Sequence, residues 1–255
     1  MSYFLTLAVV LWAYMTFWFI FSLIRERNDI ADVAWGLGFV FLAWSSFYIS
    51  FDPEITNILV NILVTVWGAR LSYHIYLRYR KGGEDYRYLK YRETWGKSFY
   101  VRSYLQIYLL QGFLLFVIAT PILVANKFTV ETFGVFQVLG LFVWIVGFSF
   151  ESIGDRQLAE FLKDPANKGK LMMEGLWKYT RHPNYFGEVL QWWGIWIIVI
   201  SLPYGAWAVI SPLVITFLIL KVSGIPMLEE KMSEHPDFAE YKRRVSVFIP
   251  FFPKK

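Results

Sequence analysis

The chain has 255 residues, 56% of them hydrophobic and 20% aromatic, with only 18% charged where a soluble domain carries about 25%. It has no cysteine, which excludes disulfides, thiolate metal sites and a cysteine nucleophile. Its three histidines, His74, His182 and His235, stand far apart without metal-ligand spacing, so no metal site is signalled, and a net charge of +5 gathered in a few loops reads as membrane topology rather than nucleic-acid binding.

Apolar stretches long enough to span a bilayer follow one another at roughly 3–24, 33–51, 55–76, 104–125, 133–153, 183–202 and 204–222. The expected fold is therefore all-α: a polytopic integral membrane protein of about seven transmembrane helices in a single domain, 1–255. Residues 3–24 lack a basic leader and read as an anchor rather than a cleaved signal. Pro53 separates the second and third spans, and Leu202-Pro203-Tyr204 the last two. Alternate loops (25–32, 77–103, 154–182 and 221–255) carry 23 of the 25 Lys and Arg residues. That asymmetry places those loops in the cytoplasm and the amino terminus outside, in the inner membrane if the source is prokaryotic.

Ionisable groups at membrane depth are costly and mark partners or cavities. Arg70, His74 and Arg78 recur at i, i+4 and i+8, a basic strip on one helix face that either descends toward a ligand or snorkels to headgroups. Glu151 and Asp155 are i, i+4 neighbours that repel each other; they need salt-bridge partners or the hydroxyls of a ribose. The densest signal is Gly175-Leu-Trp-Lys-Tyr-Thr-Arg-His-Pro-Asn-Tyr-Phe-Gly-Glu188. Pro183 suits a helix's first turn, with Arg181 and His182 at its mouth as an anion site. Asn184, Glu188 and Gln191 then share one face entering the bilayer, fit either for a polar ligand or for a structural network. Asp29 and Asp32 open the second span, where acids also favour the helix dipole. The segment from Tyr241 to Pro250 reads as amphipathic, lying on the inner leaflet.

Taken together, Asp29-Ile-Ala-Asp-Val-Ala-Trp-Gly36, Trp67-Gly-Ala-Arg-Leu71, Gln111-Gly112, the 151–158 acidic segment, the Gly175–Glu188 run and Trp192-Trp193-Gly194 resemble the bacterial membrane family DUF1295, which is grouped with the carboxyl-terminal domain of steroid 5-alpha-reductases. More distantly the chain resembles sterol reductases and isoprenylcysteine carboxyl methyltransferases. The resemblance implies an NADPH-dependent oxidoreductase that reduces a C=C bond in a membrane lipid: steroid-like, isoprenoid or fatty-acyl. It implies a lipid-substrate half, 1–125, and a cofactor-binding half, 126–255. NADPH phosphates are expected on Arg78, Arg80, Arg181 and His182. Arg70, His74, Glu151, Asp155, Asn184, Tyr185 and Glu188 are the other expected cofactor contacts. Asp32 is the expected proton donor, with Tyr73 as substitute. The steroid enzymes' carbonyl-binding tyrosine falls near Trp67, which cannot donate a phenolic proton. Two rivals are a membrane methyltransferase using S-adenosylmethionine and a non-catalytic lipid-binding protein.

Overall fold

The computed structural model describes residues 2–128 and 133–254. Among these residues the regular structure is helical, apart from one isolated parallel bridge between Thr180 and Ser246. Six helices are long and apolar enough to cross a membrane: Tyr3–Arg25, Ile30–Ser50, Ile55–Arg80, Tyr86–Ile118, Val135–Lys163 and Gly205–Met232. The fold is thus all-α and polytopic. The remaining expected span, 183–202, is the 17-residue helix Pro183–Val199. Its rise of about 26 Å falls short of a ~30 Å hydrocarbon core. The expected outer loop 126–132 lies partly outside the described residues. The chain divides into two compact units, Met1–Phe133 with Leu202–Ala208, and Gly134–Ser201 with Val209–Lys255.

In the first unit, α1 (Tyr3–Arg25) is apolar all round and leaves Phe17 60% and Ile24 72% exposed, as a lipid-facing helix does. It ends at Glu26, whose φ of 52° turns the chain. Helices α2 (Ile30–Ser50) and α3 (Ile55–Lys81) approach through Gly36 and Gly68: a Cβ on either would lie 2.7 Å from the other's carbonyl oxygen. Ser72 Oγ donates to the Val33 carbonyl at 2.9 Å across the same seam. Apolar attraction between helices is weak in lipid, so small residues that permit close backbone contact, and hydrogen bonds, hold them. Asn61, Asn126 and Ser46 do the same: Asn126 Nδ2 donates to Ser46 Oγ at 2.6 Å, and Asn61 Nδ2 to Asn126 Oδ1 at 2.8 Å.

The polar helix α4 (Tyr86–Trp95) stops at Gly96, whose φ of +47° suits a residue without Cβ. The chain then rises through α5 (Phe99–Ser103), a π-form segment Tyr104–Leu109 and α6 (Leu110–Ile118). Pro121 opens α7 (Thr120–Lys127), so the expected span 104–125 is interrupted at Ala119.

In the second unit, α8 (Val135–Lys163) and α9 (Pro183–Val199) run antiparallel along a glycine seam. A Cβ on Gly140 would lie 2.5 Å from Gly194 O, one on Gly147 2.7 Å from Gly187 O, and one on Gly154 3.1 Å from the Pro183 ring. The seven-residue spacing keeps that seam in register along both helices. Helix α10 (Ile210–Phe217) continues through the π-form segment Leu218–Val222 to α11 (Ile225–Met232) and α12 (Phe238–Arg244). Phe238, Tyr241 and Val245 pack as a small core with Leu171 and Met232, leaving Lys242, Arg243 and Arg244 exposed. The amphipathic tail is therefore docked on the 170–181 segment through its apolar face.

Candidate functional site

The motif at 175–188 folds as a short 3-10 turn, Gly175–Lys178, an extended stretch, and then α9 with Pro183 in its first turn. The extended stretch is fixed from the carboxyl end of the chain: Arg181 N–H donates to Ser246 O at 2.9 Å, and Phe251 N–H to Tyr179 O at 2.9 Å. Trp177 Nε1 donates to Gly154 O at 3.1 Å, tying the turn to α8. The glycine seam then sets the α9 side chains directly against the acids of α8.

Two carboxylate–amide pairs result. Asn184 Nδ2 donates to Asp155 Oδ1 at 3.1 Å, and Gln191 Nε2 to Glu151 Oε2 at 2.5 Å. Since an amide must turn its NH₂ toward a carboxylate, both carbonyl oxygens point elsewhere. Asn184 Oδ1 and Gln191 Oε1 are buried and receive no hydrogen bond. Glu188, half-buried, lies between them on the same helix face.

His182 adds a third acceptor. Its Nε2 faces Glu229 Oε1 at 3.3 Å, and the ring is 1% exposed. Burial pulls the imidazole down to about 4, outweighing the pull of Glu229 in the other direction. The ring is therefore neutral near pH 7, and the contact is a hydrogen bond from Nε2–H rather than an ion pair. Nδ1 is then a lone-pair acceptor, buried and without a donor. Tyr185, half-buried, stacks on this ring with centroids 5.7 Å apart. Buried polar atoms are nearly always satisfied, so these three acceptors, on and just before α9, could take hydrogen bonds from a ligand that donates.

Arg181, expected on a phosphate, is committed elsewhere. Its Nε and a terminal nitrogen bond Glu229 at 2.8 and 2.7 Å, and its other terminal nitrogen donates to the carbonyls of Lys242 and Val245 at 3.2 and 2.5 Å. It is 4% exposed and clamps α11 and α12 to the motif. Glu229 is thus the motif's partner across 48 residues, a pairing that no spacing in the sequence marks.

In the first unit Asp32 departs from its expected role. Arg87 bonds its Oδ2 at 2.5 Å and the Tyr88 hydroxyl donates to its Oδ1 at 2.6 Å. Both oxygens accept from strong donors, so Asp32 is engaged as an ion-pair acceptor. Its neighbours are equally saturated. Asp29 takes Nε and a terminal nitrogen of Arg27 at 3.1 and 2.7 Å, and Glu84 takes Arg92 at 2.6 and 3.1 Å. Burial works to raise the Asp85 carboxyl, but bonds from the Arg87 side chain and N–H outweigh it and hold Asp85 below its usual range. The residues Asp85, Arg87 and Tyr88 carry no motif, and in a loop of eight basic residues nothing marked which of them would meet Asp32.

The other expected residues of this unit lie on α3. Arg70 is half-buried, while His74, Arg78, Arg80 and Tyr73 are exposed, Tyr73 by 63%. Arg70, His74 and Arg78 do share one face; Arg80 lies about 200° round the helix from Arg78. No metal-binding group of His, Asp and Glu exists among the described residues.

The family described as "Protein of unknown function (DUF1295)" matches residues 17–245, and the chain belongs to it. An uncharacterized protein of Schizosaccharomyces pombe is 27% identical over 218 residues, covering 75% of this chain and 62% of the relative. The chain therefore spans under two thirds of that relative's length. No solved structure matches it.

Proposed function

We propose that the chain is a membrane-embedded, NADPH-dependent reductase of a C=C bond in a lipid, with its amino terminus outside and its carboxyl end in the cytoplasm. The observation that carries this reading is the pair of unsatisfied acceptors at Asn184 and Gln191, beside the Asp155 and Glu151 carboxylates, with the unmet His182 Nδ1 at the mouth of the same helix. A nicotinamide riboside presents matching donors: a ribose diol and a carboxamide NH₂. Asp155 and Asn184 would hold the diol, and Glu151, Gln191 and Glu188 the carboxamide. When bound, NADPH supplies hydride. The chain's own part is to orient the acceptor, exclude water and deliver a proton to the second carbon. With both oxygens of Asp32 engaged, we assign that proton to the Tyr185 hydroxyl, on the same helix as the unsatisfied acceptors. Tyr185→Phe should lower turnover by about 10²–10⁴-fold while leaving NADPH affinity unchanged.

One observation favours a second reading. Arg181 is consumed by Glu229 and two carbonyls, which removes a phosphate ligand from this unit and suits S-adenosylmethionine, a cofactor with ribose hydroxyls, an ammonium and no phosphate. The experiment that separates the two is calorimetric binding of NADPH, NADH and S-adenosylmethionine to the purified protein. Saturable binding of NADPH, tighter than NADH, supports the reductase; binding of S-adenosylmethionine alone replaces it with the methyltransferase. Reporter fusions after Gly82 and Pro165 should read cytoplasmic, and a fusion after Asp52 external.

A further inference from the structure

The basic residues of the α3 end do not act as one group. On the side away from Arg78, the Arg80 guanidinium lies 5.9 Å from the Tyr76 ring centre. Arg80 and Tyr76 join Arg25, Arg27, Tyr79 and Phe21 around a recess of about 410 Å³. Arg25 closes α1 and Arg80 stands one residue before the end of α3, so two spanning helices terminate at this recess.

The three arginines differ in what they have left to offer. Arg27 uses all five of its N–H groups: two on Asp29, and one each on the carbonyls of Tyr79, Gly82 and Gly83. It also lies 3.8 Å over the Tyr79 ring, and it is a fixed wall of the recess. Arg25 and Arg80 are exposed, and among the described residues neither forms an ion pair with a carboxylate. Immediately below, α1 presents a continuous apolar face: Phe17 stacks on Phe21 with centroids 6.5 Å apart, and Ile24 is 72% exposed.

We propose that this recess binds the phosphate of an anionic phospholipid, with Arg25 and Arg80 on the phosphate and the acyl chains along Phe17, Phe21 and Ile24. Two uncommitted cations supply charge-assisted hydrogen bonds at headgroup level, and the aromatic floor distinguishes a lipid phosphate from a soluble one. The site is separate from the Arg70, His74 and Arg78 face, which removes Arg80 from the expected cofactor contacts.

The test uses purified full-length protein and its thermal unfolding in micelles of phosphatidylcholine doped with phosphatidylglycerol. The wild type should gain stability at a low mole fraction of phosphatidylglycerol. In Arg25→Gln/Arg80→Gln, half-saturation should need at least about tenfold more, with the melting point in pure phosphatidylcholine unchanged. Soluble glycerol phosphate should not protect either protein, and NADPH affinity should be the same in both. Unaltered phosphatidylglycerol protection in the double variant overturns the site. Equal protection by glycerol phosphate overturns the lipid as its occupant. A tenfold loss of NADPH affinity returns Arg80 to the cofactor.

Discussion

The chain holds two clusters of buried acids and amides, and they are built to opposite ends. Around Asp29, Asp32, Glu84 and Asp85, the described contacts give each carboxylate donors from Arg27, Arg87, Arg92 or Tyr88. Along α9, the amides of Asn184 and Gln191 spend their NH₂ on acids and leave their oxygens unmet, and His182 leaves Nδ1 unmet. The same residue types therefore make architecture where donors and acceptors balance, and a candidate ligand site where acceptors exceed donors. Leaving buried acceptors unmet costs about 1–3 kcal/mol each, a cost that persists where something else supplies the donors.

The largest effect should come from Arg181, which belongs with the balanced cluster despite sitting in the motif. Arg181→Ala leaves Glu229 with only His182 and the exposed Lys242 and takes the Arg181 donor from two carbonyls, and should destabilise the second unit by about 3–5 kcal/mol, seen as a collapse of the apparent Tm in detergent. Weakened cofactor binding with an unchanged Tm would return Arg181 to the ligand.

Next comes pH. His182 is neutral when folded, with its pKa near 4 against 6.5 ordinarily. Between these values the unfolded chain binds the extra proton, so stability falls as pH drops from about 6.5 to 4 and no further below that. The window is of the order of 3 kcal/mol. His182→Gln should flatten it; a wild-type Tm independent of pH across that range would mean the ring is charged in the fold.

A smaller effect separates glycines. Gly187→Ala drives a Cβ into Gly147 O and the Glu151 backbone N, and should cost about 1–3 kcal/mol by prising α8 from α9. At Gly82 a Cβ meets nothing within 4 Å, so Gly82→Ala should leave the Tm in place. Equal melting points for the two variants would refute the seam.

These regions were unequally legible in the sequence. Length and hydropathy mark the spanning helices, and Pro183 and Pro53 mark where α9 starts and where α2 parts from α3, because proline's effect is local. The stripe Asn184, Glu188, Gln191 was legible from helical spacing, and the repulsion between Glu151 and Asp155 showed that they need partners, but cations or a ribose were expected there and the amides of Gln191 and Asn184 were not. The fates of Asp32 and Arg181 were not. Each is decided by a residue 48 or more positions away, Arg87 for one and Glu229 for the other, and long-range pairing of charges leaves no periodic trace. The π-form segment of 104–109 was hidden for a different reason, since unbroken hydropathy conceals an irregular helix, whereas the break at Ala119 had a local mark in Pro121 that the span 104–125 passed over.

The contrast between balanced and unbalanced clusters is tested most directly by one paired measurement, the NADPH affinity and Tm of Asn184→Leu beside those of Asp32→Asn. Asn184→Leu should lose about tenfold or more in affinity, since it removes an acceptor that no protein group uses, while its Tm gives up only the single amide bond to Asp155. Asp32→Asn should bind NADPH as the wild type does and melt markedly lower, since it leaves Arg87 short of a partner. The reverse pattern, with affinity lost at Asp32 and only stability lost at Asn184, would contradict the assignment of ligand binding to α9.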